Sequence, residues 1–151
     1  MTAAVRPDSW DFPLLVHVVG SMVLVGALVL AVSALILAWR DGNPELARLG
    51  YRSLLLGVLP GWLVMRVGAE WIASKEDIPG DPGWLGVGYI TSDGGAVLLI
   101  AGLITAGIAQ KRAGRGEAAS GLTRAATILS LVLVAALLVA LWAMSTKPAF
   151  E

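Results

Sequence analysis

One uninterrupted apolar run constrains this chain more than any other feature. From Phe12 to Trp39 the sequence holds 28 residues among which His17 is the only titratable group. A helix of that length rises about 42 Å, which exceeds the roughly 30 Å hydrocarbon core of a bilayer. The run is also longer than the roughly 7–15-residue apolar core of a secretory signal. It therefore predicts a membrane-spanning helix that stays in the mature protein.

Three further apolar runs follow, and together they predict an all-α polytopic membrane protein. The predicted spans cover residues 12–39, 53–72, 94–110 and 125–146. Backbone polar groups in lipid must bond within their own segment, and the alternating pattern of a barrel strand is absent. The chain, residues 1–151, is thus expected to form a single membrane domain, an antiparallel bundle of four transmembrane helices. Only 15% of the residues are charged, against about 25% in soluble domains.

The distribution of Lys and Arg predicts the direction of the spans. The first and third connections hold seven basic residues. These residues are Arg40, Arg48, Arg52, Lys111, Arg112, Arg115 and Arg124. The opposite side holds three, Arg6, Lys75 and Lys147. Because basic residues concentrate on the cytoplasmic side, both termini are expected outside the cytoplasm.

Small residues predict which helix faces pack together, since a close approach of backbones drives helix association in lipid. The first helix carries a stripe at heptad spacing, and the third and fourth helices carry shorter ones. The stripes are His17, Gly20, Leu24, Ala27, Ala31, Ala34 and Ala38; Gly95, Leu99, Gly102, Ala106 and Ala109; and Ala136, Ala140 and Ala143. In the second helix, Pro60-Gly61 predicts a kink near mid-membrane.

A polar cluster is predicted beneath the outer face. Arg66 and Glu70 stand at i, i+4 on one side of the second helix, and the helical rise puts Arg66 roughly 9 Å below the outer boundary. The same calculation puts His17 roughly 8 Å below the outer boundary. Two interpretations stay open. Either Arg66 pairs with Glu70 and anchors the helix end, or His17, Arg66 and Glu70 form a relay for protons or ions.

Asp93 and the methionines have simpler predicted roles. Asp93 stands at the predicted start of the third helix, where its carboxylate would cap free N–H groups. His17, Met65 and Met144 lie in or near the outer half, and imidazole with thioether suits Cu(I). Methionine more often fills gaps in packed interiors. The chain has a single His, so it cannot hold a haem between two histidines of its own. His17 and Met65 are the pair of axial ligands that one chain could offer. No cofactor is expected, with copper or haem as the alternative.

Two short motifs resemble a known family. His17-Val18-Val19-Gly20 with Gly26 looks like the HxxG…G opening of small bacterial integral membrane proteins with four predicted helices. Met144-Ser145-Thr146-Lys147-Pro148 resembles the Met-x-x-Lys-Pro close of that family. Those proteins have no assigned function and are remotely similar to the membrane domain of copper-resistance protein D. The resemblance implies a bacterial plasma-membrane protein and, at one further remove, copper handling.

The functional expectation is a structural or accessory subunit in the bilayer that packs against itself or a larger complex. The alternatives are a small transporter that uses the His17, Arg66 and Glu70 cluster, and copper or haem binding. No serine–histidine–acid order and no phosphate-cradling glycine loop appears, so an enzyme is not expected. The net charge of +0 gives no attraction to nucleic acid.

Overall fold

The computed structural model describes residues 8–75 and 83–146, and this part of the chain is helical with short connections. A 3-10 turn, Asp8–Trp10, precedes α1, Asp11–Asp41. The second span joins three segments, α2 (Pro44–Ser53), a π-helical segment (Leu54–Val58) and α3 (Leu59–Ala73). The third span is α4, Gly83–Ala113, and the fourth is α5, Ser120–Thr146.

Four helices are long and apolar enough to cross a membrane, residues 11–41, 44–73, 83–113 and 120–146. The prediction of an all-α four-helix bundle is confirmed, and the organisation is that of a multi-pass membrane protein. Large apolar side chains cover its outside. Met22, Leu56 and Ile90 are each at least 70% exposed. Such a surface suits a bilayer, because soluble proteins rarely expose large contiguous apolar areas.

The second span begins nine residues earlier than predicted, at Pro44 rather than at residue 53. Gly42 turns the chain with a φ of 64°, a left-handed conformation that glycine adopts readily. The Asn43 side chain then accepts hydrogen bonds from the backbone N–H groups of Glu45, at 2.9 Å, and Leu46, at 3.4 Å. An Asn cap followed by proline at the first position is a strong helix start. The predicted start at residue 53 did not take this cap into account.

A π-helical segment lies just before Pro60, where the sequence predicts a kink. The Leu59 N–H donates to the Leu54 carbonyl, five residues back. Pro60 has no N–H to give to the Leu56 carbonyl, and widening the preceding turn accommodates the missing bond. Such segments bend helices.

The small-residue stripes of the first and third spans lie in the core as predicted. On α1, Gly20, Leu24, Ala31, Ala34 and Ala38 are buried, and His17 and Ala27 are half-buried. Every member of the α4 stripe is buried. On α5 only Ala143 of the predicted alanines is fully buried. Its buried face is formed by Thr123, Ala126, Thr127, Ser130, Leu133 and Ala143.

The packing order of the helices positions the site. α1 packs along α2, α3 and α5, and α4 packs along α5. α4 also contacts α2, at the end predicted to be cytoplasmic, whereas α3 and α4 touch only sparsely. The second and third spans therefore separate towards the predicted outer face. Side chains rather than close-packed backbones bridge them there.

Candidate functional site: a charged bridge between α3 and α4

Arg66 is the centre of the polar cluster and binds two carboxylates. Its Nη2 lies 3.1 Å from Glu70 Oε1, one turn along α3, and 3.3 Å from Asp93 Oδ1 on α4. The Arg66 side chain is 24% exposed, while those of Glu70 and Asp93 are 51% and 64% exposed. A partly buried guanidinium thus joins two helices whose carboxylates remain accessible.

Aromatic side chains complete the bridge. The Arg66 guanidinium carbon lies 4.8 Å from the centroid of the Tyr89 ring, within the range of a cation–π interaction. The Tyr89 hydroxyl donates to Glu70 Oε2 over 3.5 Å, a long bond. The Trp62 indole N–H donates to the Ser92 carbonyl at 3.3 Å. Each of these contacts joins α3 to α4. The bridge therefore consists of the ion pairs of Arg66 and of the contacts made by the aromatic side chains.

His17 lies on the opposite side of α3 and does not join the bridge. Its Nδ1 is 3.0 Å from the Met65 carbonyl, and because a carbonyl only accepts, Nδ1 carries the proton. A Cβ on Gly68 would lie 2.7 Å from the His17 Cα, so the two backbones are in close contact. Within residues 8–75 and 83–146, no hydrogen bond or ion pair joins His17 to Arg66 or Glu70. The predicted cluster is thus divided between two faces of α3.

Asp93 is not a helix cap, and this prediction is wrong. α4 begins at Gly83, ten residues before Asp93, so the carboxylate stands where backbone N–H groups already have helical partners. Its side chain is bound to Arg66 instead. The third span was predicted to begin at residue 94, eleven residues later than Gly83, where α4 begins. Gly88 is buried in α4, where the Met144 methyl group packs against it.

Tyr89 is the site residue that the sequence reasoning missed. Tyr89 and Asp93 stand four positions apart on α4, as Arg66 and Glu70 do on α3. Two i, i+4 polar pairs on neighbouring helices face each other across the gap. Extending the third helix to Gly83 would have revealed the match. Ser92 adds a buried hydroxyl that has no hydrogen-bond partner within the described residues.

Two of the possible metal ligands, His17 and Met65, are in contact, and the third, Met144, lies on α5. His17 Nδ1 is engaged by the Met65 carbonyl, and Met144 packs on Gly88 of α4. Within residues 8–75 and 83–146, no three His, Cys, Asp or Glu side chains come together as a metal site would require. Met65 also packs against the hydrophobic core.

The bridge is an ion-pair network in which the two carboxylates remain accessible. One cation and two carboxylates leave a formal charge of −1 around Arg66. A charge inside a bilayer costs about 2.5–3.5 kcal/mol on insertion scales unless it is paired. Glu70, Asp93 and Tyr89 supply that pairing.

Comparison of the chain with protein-family models, with curated proteins and with solved structures finds no match.

Proposed function

We propose that this protein is a non-enzymatic structural or accessory subunit of a membrane assembly in the bacterial plasma membrane, with both termini outside the cytoplasm. One observation carries the proposal. The titratable side chains of the candidate site, His17, Arg66, Glu70 and Asp93, are engaged in contacts that hold helices together. Groups used in this way build a rigid scaffold.

The side of α1 that faces away from the other helices supports assembly with another chain. Gly26 and Ser33 are exposed, and a Cβ on Gly26 would meet nothing within 4 Å. The two residues are seven positions apart, so they share one side of the helix. Lipid itself gives no preference for small residues, whereas a close-packed partner helix does.

The test is the size and content of the complex in mild detergent. Gly26→Leu and Ser33→Leu place bulk on this exposed side and leave the core of the chain untouched. We expect the wild-type protein to run as an oligomer or with co-purified proteins, and both variants to run as monomers. Gly121→Leu is the matched control, because Gly121 is also exposed with open space around it. A wild-type protein that is monomeric and purifies alone would contradict the proposal.

A second candidate function, a small transporter, is favoured by the separation of α3 and α4. The outer parts of these helices are joined mainly by the Arg66 bridge, and Glu70 and Asp93 remain accessible. Breaking the bridge would open a polar cleft. If protons move along it, liposomes that contain the protein and a trapped pH dye will equilibrate an imposed gradient. Glu70→Gln should then abolish the flux and Glu117→Gln should not. A wild-type rate equal to that of empty liposomes would remove this candidate.

A further inference from the structure

A groove on the lipid-facing side, far from the Arg66 bridge, lies between the second and third spans. It has a volume of about 350 Å³ and is lined by Tyr51, Leu55, Leu103, Ile104, Gly107, Ile108 and Lys111. Six of these residues carry no charge and one is a lysine. The groove is open towards the surroundings rather than enclosed.

The sequence of α4 explains the shape of the groove. Ile104, Gly107, Ile108 and Lys111 follow one another at i, i+3, i+4 and i+7, so they share one face of the helix. Gly107 has no side chain, and a Cβ there would lie 3.2 Å from the Tyr51 ring. The missing side chain lets the ring settle against α4 and leaves a channel beside it. Ile104 and Ile108 are 57% and 42% exposed.

The charge at one end of the groove indicates its occupant. Lys111 is exposed in the last turn of α4, next to Arg112. Arg48 and Arg52 belong to α2, at the same inner end of the bundle. From Lys111 to Ile104 the helix rises about 10 Å, which keeps the groove within one leaflet of roughly 15 Å. An apolar channel that runs from a basic rim towards mid-bilayer matches a phospholipid with an anionic headgroup.

We infer that this groove binds an anionic phospholipid, with an acyl chain along Leu55, Leu103 and Ile104 and the headgroup phosphate at Lys111. The site is independent of the subunit role proposed above, because it lies on another surface and needs no protein partner. Bound in this way, the lipid fills the surface groove beside the contact between α2 and α4. The Arg66 bridge joins the same spans at the other end.

The test is lipid binding by the whole protein, measured by native mass spectrometry in a neutral detergent. The probes are phosphatidylglycerol and phosphatidylcholine with identical acyl chains. We expect wild-type protein to retain phosphatidylglycerol in preference to phosphatidylcholine. Lys111→Gln should lower the phosphatidylglycerol affinity about fivefold, the effect of one basic residue near a membrane surface. Arg112→Gln removes the same charge one residue away, outside the groove lining, and should have less than half that effect on a logarithmic scale.

A second variant tests the apolar part of the groove. Ile104→Trp fills the channel without changing charge, at a position exposed enough to accept the larger ring. It should weaken phosphatidylglycerol binding several-fold while helicity and elution volume remain those of wild type. Equal losses in Lys111→Gln and Arg112→Gln would overturn the inference, because they would show diffuse electrostatic attraction. Equal retention of the two lipids, or unchanged binding in Ile104→Trp, would also overturn it.

Discussion

Arg66 shows how a single residue can be stable inside an apolar span. Its guanidinium has several donors in a fixed plane and so can serve two carboxylates at once. One carboxylate is on its own helix and the other is on α4. The ring of Tyr89 covers the guanidinium. A lysine could supply the charge but not the planar group that lies over the Tyr89 ring.

Asp93→Asn should lower the stability of the detergent-solubilised protein. The change removes the charge that binds Arg66 across the helix gap, and we expect a loss of about 1 kcal/mol because the pair is partly exposed. That corresponds to a decrease in the midpoint of thermal unfolding of roughly 2–4 °C. Circular dichroism during heating measures it.

Glu45→Gln is the control for that experiment. Glu45 is 77% exposed and lies 3.9 Å from Arg48 within α2, so its loss should leave the midpoint within about 1 °C of wild type. Equal effects of the two substitutions would show that the Arg66 bridge contributes no more than an ordinary surface pair.

At the scale of elements, glycines on the second span set its distance from α1. A Cβ on Gly61 would lie 2.7 Å from the Leu24 backbone nitrogen and 2.9 Å from its Cα. A Cβ on Gly57 would lie 2.5 Å from that of Ala27. Backbones can approach this closely only where side chains are missing. The pairing of α1 with α3 therefore depends on glycine, because any larger residue at these positions would collide with α1.

Gly61→Ala should destabilise the bundle by about 1–3 kcal/mol, the usual cost of overpacking a well-filled interior. The added methyl group meets backbone atoms of α1, which cannot move aside as a flexible side chain can. Chemical unfolding of the protein in detergent micelles measures the change.

Gly94→Ala provides the matched comparison. Gly94 is an exposed residue within α4, and a Cβ there would meet nothing within 4 Å. The substitution should be neutral or slightly stabilising, because alanine favours a helix more than glycine does. If Gly61→Ala behaved like Gly94→Ala, α1 and α3 would not be packed as closely as described.

At the scale of the whole molecule, the arrangement relative to the membrane is accessible to labelling, because the sequence contains no cysteine. Ser74→Cys lies just after α3 and Glu117→Cys lies in the connection between α4 and α5. From the distribution of basic residues we expect a membrane-impermeant maleimide to label Ser74→Cys in intact cells. Glu117→Cys should be labelled only after the cells are permeabilised. The reverse pattern would contradict the proposed orientation.

The helix boundaries show which sequence signals were sufficient. The first span was predicted within two residues at each end, 12–39 against Asp11–Asp41, because a long uncharged run has no competing interpretation. The second and third spans were predicted too short, since charges and glycines were taken as signs of loops. Arg48 and Arg52 lie within α2, where an amphipathic helix end tolerates them. Asp93 lies within α4, where its carboxylate pairs with Arg66.

The sequence by itself determined the number and type of the elements and the faces of α1 and α4 that pack. Hydropathy and small-residue spacing are local properties, and the cost of exposing a backbone to lipid leaves helices as the solution for such runs. Only the tertiary structure decided which polar groups meet. His17 and Arg66 have similar predicted depths, yet they lie on opposite sides of α3, and Asp93 finds Arg66 across the gap to α4. Depth follows from counting residues along one helix, whereas contact depends on the rotation and order of several helices about one another.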